Sequence, residues 1–238
     1  MRKTRTPPVS VRIASAPSIH YLACVLKKSD RIQRADIPRK AIYRLSLYLR
    51  CLQRLQDNGI QTVSSDALAQ AAGVKPTQLR KDLTYFGQFG RRGLGYEVDQ
   101  LSQMITDLLG TASLQKVVLV GVGNLGTALL SYRGFDKEGF EIVAAFDQFP
   151  DQPRNKKVKQ PLFGMERLAG VVEEHTVKMA IISVPGEEAQ EVANELVRVG
   201  ITGILNFAPV VLQVPDEVMV NNVNLAMELE NLSYFIQS

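Results

Sequence analysis

The stretch KVVLVGVGNLG, residues 116–126, decides the fold of the second half of the chain. Its apolar run ends at Val120 and is typical of a parallel strand that is buried on both faces. In the glycine pattern that follows, Gly121 permits a tight turn, Gly123 lets the backbone approach a pyrophosphate, and Gly126 allows close helix–strand packing. The stretch therefore predicts a dinucleotide-binding loop at the positively polarised N-terminus of a helix. The predicted contact residues are Gly121, Val122, Gly123, Asn124, Leu125 and Gly126.

An acidic residue, Asp147, supports this interpretation because it stands 21 positions after Gly126, at the end of the next apolar run. A carboxylate there can accept hydrogen bonds from both ribose hydroxyls and would repel a 2′-phosphate, which favours NAD(H) over NADP(H). The neighbouring Lys156, Lys157 and Lys159 could weaken that preference. An aspartate that only caps the turn Asp-Gln-Phe-Pro-Asp is the alternative.

Strands and helices alternate through the rest of this half. Apolar runs predict strands over residues 116–120, 140–146, 178–184 and 201–207, and amphipathic stretches predict helices over 125–133 and 187–199. Such alternation is typical of α/β proteins, in which helices cover both faces of a parallel sheet. We therefore expect a Rossmann-type doubly wound parallel sheet in this half.

Patterns for catalysis or metal binding are weak. The chain has two cysteines and two histidines, which gives neither a disulfide framework nor a zinc-type spacing. His175 lies in the polar stretch Glu-Glu-His-Thr, where we expect a solvated side chain and not a general acid or base. We therefore expect no metal site and no enzyme activity, but a domain that senses a nucleotide cofactor.

The first half of the chain has the pattern of a helix-turn-helix. Apolar residues recur at three- and four-residue steps over Ile42–Leu55, which predicts an amphipathic helix. A second helix is predicted to begin at Ser64 or Ser65, both of which are good N-caps. A third is predicted over residues 78–86, with Thr77 as its N-cap. Two short helices joined by a glycine turn, of which the second is basic, predict a helix-turn-helix.

A glycine-rich stretch, FGRRGLGYEV at residues 89–98, follows the third helix. Glycines on both sides of Arg91 and Arg92 predict a β-hairpin with a charged tip, so that the whole becomes a winged helix. An amphipathic helix over residues 98–110 then leads into the second half.

Positive charge is concentrated in the first half of the chain. Residues 1–100 carry 18 Lys and Arg against 7 Asp and Glu, whereas residues 101–238 carry 10 against 17. Together with the winged helix, this excess favours double-stranded DNA as the partner, although a solvated basic face or a protein contact is the alternative. Arginine can bridge guanine, glutamine can read adenine, and the wing arginines suit the minor groove or phosphates. The predicted DNA contacts are Ser64, Ser65, Thr77, Gln78, Arg80, Lys81, Tyr85, Arg91 and Arg92.

The two ends of the chain differ from the domains between them. Residues 1–36 hold three prolines and no acid before Asp30, and we expect a disordered extension there. The boundaries we predict are this extension, a winged-helix domain at 37–112, a Rossmann domain at 113–222, and a C-terminal helix at 223–238 with an apolar stripe.

No apolar run approaches the roughly 18 residues that span a bilayer, so we expect no membrane partner and a cytoplasmic location.

Four strings together resemble the Rex family of bacterial redox-sensing transcriptional repressors. They are VSSDALA (63–69), QLRKDLTYFGQFGRRGLGY (78–96), GVGNLG (121–126) and GILNFAP (203–209). The resemblance implies a homodimer that binds a palindromic operator when NADH is scarce and releases it when NADH binds, with NADH and NAD+ as regulatory ligands. It also implies that the last helix is exchanged between the two subunits.

The resemblance assigns further roles by position. It implies dinucleotide contacts at Val184, Pro185, Asn206, Phe207 and Pro209, with Tyr132 near the nicotinamide. The family's acid at the start of the last helix, which can pair with an arginine of the first helix, falls on Asn224, and the matching arginine is Arg50. An Arg–Asn pair lacks the charge of an ion pair, so the resemblance implies a weaker switch or one that relies on packing around Leu225.

Two other functions are open from the residues alone. An NAD-dependent dehydrogenase with an accessory helix-turn-helix predicts hydride transfer to or from some substrate. A CoA- or nucleotide-binding subunit predicts tight binding of CoA or ATP instead.

Overall fold

The computed structural model describes residues 37–90, 93–151 and 159–236. They fall into two compact units, divided between Leu109 and Gly110. The expected disordered extension, the wing-tip residues Arg91 and Arg92, and two of the three neighbouring lysines, Lys156 and Lys157, lie outside the described residues.

The described part of the first unit consists of short elements around one core. In chain order these are α1 (Arg39–Asp57), β1 (Thr62–Val63), α2 (Ser65–Ala71), α3 (Pro76–Thr84), β2 (Tyr96–Glu97) and α4 (Val98–Leu109). The fully buried side chains of the core include Leu45, Leu52, Leu68, Leu79 and Ile105. The three- and four-residue spacing of the sequence brings those of each helix onto one face, as an amphipathic helix requires.

One local prediction in this unit is corrected, and one strand pairing is added. The third helix begins at Pro76 with Lys75 as its N-cap, and Thr77 is not the cap. Proline suits the first helical position because the N–H that it lacks would have no partner there. In addition, β2 pairs antiparallel with β1, a pairing that the sequence did not predict.

The described part of the second unit is a six-stranded sheet with helices. Its elements are β3 (Gln115–Val120), α5 (Asn124–Ser131), α6 (Gly134–Lys137), β4 (Phe140–Phe146), β5 (Leu162–Phe163), α7 (Leu168–His175), β6 (Met179–Ile182), α8 (Gly186–Arg198), β7 (Gly203–Asn206), β8 (Met219–Asn222) and α9 (Leu225–Ile236). All neighbouring strands are parallel, in the order β5-β4-β3-β6-β7-β8. This is the strand order of Rossmann dinucleotide-binding domains, so the predicted sheet is confirmed.

The central strand β3 is buried on both faces, as its unbroken apolar run predicts. Val118 and Val120 belong to one hydrophobic core, whereas Val117 and Leu119 belong to a second core on the other face. The sheet therefore lies between two apolar layers, and the carboxyl end of β3 delivers the glycine loop.

Within residues 37–90, 93–151 and 159–236, none of the helices has the length and hydropathy that a bilayer crossing requires.

Candidate functional site

The loop between β3 and α5 shows what each of its glycines does. Gly121 has a φ of +95°, and a Cβ there would lie 2.7 Å from the carbonyl carbon of Ser183. A Cβ on Gly126 would overlap the carbonyl oxygen of Gly121, so α5 packs on the loop only because no side chain intervenes. Gly123 differs, since its φ is an ordinary −72° and its Cβ would meet no atom within 4 Å. Internal packing therefore accounts for two of the glycines, whereas the third leaves room for an approaching ligand.

Asp147 follows β4 and is hydrogen-bonded to the glycine loop. Its Oδ2 accepts a hydrogen bond of 2.8 Å from the backbone N–H of Val122, and its Oδ1 accepts one of 2.9 Å from that of Phe149. The second bond is the turn cap that the sequence left as an alternative. The first bond shows that the same carboxylate also holds the loop in place.

The glycine loop opens onto a cleft of about 210 Å³. The cleft is lined by Val120, Gly121, Gly123, Asp147, Gln148, Met165, Ser183, Val184, Pro185, Glu188 and Val192. The structure thus brings five of the predicted cofactor contacts into one place, from the glycine loop, Asp147 and the segment after β6. A groove with a glycine loop, a helix N-terminus and a carboxylate beside an apolar wall fits a dinucleotide.

Sequence analysis missed part of the cleft wall. Ser183 follows β6 directly, and its hydroxyl donates a hydrogen bond of 2.8 Å to the carbonyl oxygen of Gly121. Its position was a usable signal, because the carboxyl ends of adjacent parallel strands meet at one edge of a sheet. Met165 and Val192 gave no such signal, since each looks like an ordinary core residue of its own segment.

Asn206, Phe207 and Pro209 do not line this cleft, but their loop lies next to it. A Cβ on Gly186, the residue after Pro185, would come within 3.8 Å of the Pro209 ring. The Asn206 side chain is fully buried, and its amide nitrogen donates to the carbonyl oxygen of Val210 over 2.9 Å. Asn206 therefore stabilises the loop through hydrogen bonds of its buried amide. Phe207 is half-buried and Pro209 is exposed.

The residues that the resemblance linked to a switch lie at helix ends and on helix surfaces. Tyr132 follows α5, is 60% exposed, and meets Phe135 edge to face with 5.1 Å between ring centroids. The Asn224 side chain caps α9, because its Oδ1 accepts hydrogen bonds from the N–H groups of Ala226 and Met227 at 3.0 and 3.3 Å. An asparagine at this position thus serves as an N-cap, a role that suits Asn and Asp equally well. Leu225 and, in the first unit, Arg50 are both exposed.

In the first unit, α2 and α3 present the predicted DNA contacts in different ways. Arg80 and Lys81 are exposed on α3. An Arg80 nitrogen lies 4.0 Å from a carboxylate oxygen of Asp66 on α2. Ser64 caps α2 by accepting a hydrogen bond of 3.1 Å from the N–H of Ala67, as the sequence predicts. Of the remaining predicted contacts, Thr77 is exposed, and Ser65, Gln78 and Tyr85 are half-buried.

A buried carboxylate that sequence analysis missed, Asp82, joins α3 to α1. It accepts hydrogen bonds from Arg44 Nε and Nη2 at 2.6 and 2.7 Å, and from the Tyr48 hydroxyl at 2.7 Å. The Gln78 amide donates a further bond of 2.8 Å, so this predicted DNA contact also helps to hold the helix. Burial by itself would raise the pKa of Asp82, but these donors outweigh it and the pKa lies below its usual value. Burial, followed by the bond to Asp82, raises the pKa of Tyr48.

No group of three or more His, Cys, Asp or Glu side chains is placed to hold a metal ion in the described part of the chain. His175 is half-buried at the end of α7 and does not line the cleft beside the glycine loop.

Comparisons with known proteins agree with this division into two sites. A family model described as "Putative DNA-binding protein N-terminus" matches residues 36–84, and one described as "CoA binding domain" matches residues 112–210. The redox-sensing transcriptional repressor Rex of Pelotomaculum thermopropionicum is 46% identical over 198 residues, which are 83% of this chain and 93% of that protein. Rex of Carboxydothermus hydrogenoformans is 47% identical over 201 residues, 84% of this chain and 97% of that protein. The chain belongs to the Rex family.

The predicted resemblance is therefore confirmed, and the chain is a redox-sensing transcriptional repressor and not an enzyme. Solved structures of a Rex-family repressor, RSP, are also similar. RSP in complex with β-NAD+ and operator DNA is 35% identical, with a TM-score of 0.78 over 84% of this chain and 92% of RSP. RSP in complex with β-NADH is 33% identical, with a TM-score of 0.73 over 84% of this chain and 94% of RSP.

Proposed function

We propose that this Rex-family chain binds a palindromic operator as a homodimer and releases it when the second unit holds NADH. Gly123 is the observation that carries the proposal, because the fold itself makes no use of its missing side chain. The proposal places the protein in the cytoplasm, where a bacterial repressor meets both its operator and the NADH pool.

The DNA-binding part of the proposal rests on the exposed cations of α3. Arg80 would bridge a guanine in the major groove, and Lys81 would contact phosphate. Gln78 would read a base while the buried Asp82 holds its amide. The remaining proposed contacts are Ser64, Ser65, Thr77 and Tyr85 in the described part, and Arg91 and Arg92 outside it.

The ligand-binding part rests on the cleft beside the glycine loop. NADH supplies no chemistry here and acts as a ligand whose redox state is read. The N–H groups at the start of α5, including those of Asn124 and Leu125, would hold the pyrophosphate, and Asp147 would accept hydrogen bonds from a ribose. Preference for the reduced form follows if apolar side chains such as Val184 and Phe207 surround the ring, since a neutral ring costs less to bury than a cationic one.

The homodimer accounts for the surface of α9. Every residue of this helix is exposed, and its large apolar side chains are Leu225, Met227, Leu229, Leu232, Tyr234, Phe235 and Ile236. An apolar surface of this size is typical of an interface. A second copy of the chain would cover it, and Arg50 and Tyr132 would then form part of the switch.

Operator binding titrated with nucleotides tests the proposal. The full chain would select a palindromic duplex from a randomised pool, and fluorescence anisotropy of the labelled duplex would follow its release. We expect NADH to release the duplex at a lower concentration than NAD+, and NADPH and CoA to have little effect. Equal sensitivity to NADH and NAD+ would contradict redox sensing, and failure to select any duplex would contradict DNA binding.

A further inference from the structure

Two neighbouring strand ends connect the proposed ligand site to the C-terminal helix. Asn206 is the last residue of β7, directly before the loop that contains Phe207 and Pro209. Asn222 is the last residue of β8, just before α9 begins at Leu225. The two asparagines are register partners in the parallel ladder. The loop and the helix therefore leave the sheet from adjacent points.

A side-chain hydrogen bond joins these two points. Asn206 Nδ2 donates to Asn222 Oδ1 over 2.9 Å, and the backbone N–H of Val223 donates to the Asn206 carbonyl oxygen over 2.8 Å. Asn206 is completely buried, whereas Asn222 is exposed. The contact thus links a buried side chain at the base of the loop to the surface from which α9 starts.

The same Asn206 side chain also sets the shape of the loop. Its Oδ1 accepts from the N–H of Ala208 over 3.0 Å, and its Nδ2 donates to the carbonyl oxygens of Ala208 and Val210 over 3.2 and 2.9 Å. Three oxygens therefore share the two hydrogens of one buried amide group. Since Asn222 provides one of these three oxygens, a shift of the loop changes the hydrogen bond between Asn206 and Asn222.

We propose that Asn206 and Asn222 are positioning residues that couple the dinucleotide site to the start of α9. This inference rests on the proposed function, because it assigns the contact through which the occupied site acts on the interface helix. Two residues beyond Asn222, Asn224 caps the first turn of α9. Displacement of Asn222 therefore reaches the end of the helix through a short, hydrogen-bonded segment.

A purely structural role for the pair would make a different prediction. If the bond only held β7 to β8, its loss would lower the thermal stability and leave the response to NADH unchanged. If the bond couples the two sites, its loss changes the response even where NADH still binds. The decisive quantity is the NADH concentration that releases half of the operator, divided by the dissociation constant of NADH.

Three variants of the full chain separate these cases. Asn222→Ala removes the acceptor, and Asn222→Asp keeps an oxygen that can accept from Asn206. Asn221→Ala is the matched control, because Asn221 is exposed on the same strand and neighbouring strand residues point to opposite faces. NADH fluorescence gives the dissociation constant, and the labelled duplex selected by the wild-type protein reports release.

We expect the ratio to rise about fivefold or more in Asn222→Ala and to stay near the wild-type value in the other two variants. An unchanged ratio in Asn222→Ala would overturn the coupling. If that variant fails to fold, hydrogen–deuterium exchange of the wild-type protein decides, since NADH must then alter protection of residues 222–227, and unaltered protection overturns the proposal. Failure of NADH to release the operator from wild-type protein would instead reject the proposed function itself.

Discussion

At the scale of single residues, the three glycines of one motif are required for different physical reasons. Gly121 and Gly126 are needed by the fold, whereas the site of a Cβ on Gly123 is open. The sequence pattern treats the three glycines alike, and only the geometry separates the two that build the loop from the one beside which space is open.

This difference gives a prediction for Gly123→Ala. The backbone of Gly123 suits alanine, so we expect the free energy of unfolding to change by no more than about 0.5 kcal/mol. The affinity for NADH should fall about tenfold or more, because the new methyl group occupies the approach to the pyrophosphate. Fluorescence titration and thermal unfolding measure the two effects. Gly126→Ala is the control and should lose roughly 1–3 kcal/mol of stability through overpacking. Unchanged NADH affinity in Gly123→Ala would place the ligand elsewhere.

A second prediction concerns the cations of α3. Arg80→Ala should weaken operator binding by roughly 1–3 kcal/mol and relax the preference at one base pair, as expected for a base contact. Lys81→Ala should weaken binding to all duplexes alike. It should also lower the slope of the logarithm of the binding constant against the logarithm of the salt concentration by about one, as expected for a phosphate contact. Anisotropy titrations at several salt concentrations distinguish the two. Lys116→Ala removes an exposed charge from the second unit and serves as the control. Wild-type affinity in both α3 variants would move DNA recognition to another surface.

Residues whose partners are distant in the chain could not be predicted from the sequence. Asp82 looks like a solvated acid on a basic helix, and Arg44 and Tyr48 stand 38 and 34 positions away from it. By contrast, the caps formed by Ser64 and Asn224 are local, because the bonded N–H groups lie within three residues. Local hydrogen bonding can be predicted from spacing, but a buried ion pair requires the tertiary structure.

At the scale of the elements, burial decided which ones could be predicted. The four central strands were predicted because long apolar runs mark strands buried on both faces. The edge strand β5 has only two residues, and β8 is mostly exposed and ends in two asparagines, so neither shows a buried apolar run. The start of α3 was misplaced because Thr77 is a good cap by type, whereas Pro76 fixes the first turn one residue earlier.

The link between α1 and α3 gives a prediction on pH. Removing one partner of the buried Arg44–Asp82 pair should cost roughly 3–5 kcal/mol, so Asp82→Asn should be clearly less stable at pH 7. Because the pKa of Asp82 is lowered in the folded protein, its contribution is complete above its unfolded pKa of about 4 and is lost as the pH falls below that value. The difference in unfolding free energy between wild type and variant should therefore shrink from pH 7 to pH 3.

Chemical denaturation across this pH range measures that difference. Asp66→Asn is the matched control, because Asp66 is an exposed carboxylate on α2. We expect its stability to differ little from that of the wild type throughout the range. A difference for Asp82→Asn that stays constant or grows towards low pH would show that the carboxylate does not carry the stabilisation.

At the scale of the whole molecule, α9 is the helix that the other described residues leave uncovered. Its exposed apolar side chains include Leu229 and Leu232. We predict that Leu229→Glu and Leu232→Glu together convert the homodimer into a monomer, since two charges would have to be buried without partners. Sedimentation velocity measures the state, and Glu230→Gln on the same helix is the control. A dimer that persists in the double variant would assign the interface to another face.

The exposed edge of the sheet sets a further condition on this repressor. β8 lies at one edge of the described sheet and leads directly into α9. An edge strand has unpaired backbone groups that can pair with another polypeptide chain. Here the exposed apolar helix α9 begins close to that edge. A subunit without its dimer partner would thus present two surfaces that favour aggregation. The fraction of subunits in the dimer rises with protein concentration by mass action. A cell that uses this repressor must therefore keep its concentration above the dissociation constant of the dimer. This sets a lower limit on the expression level of the protein.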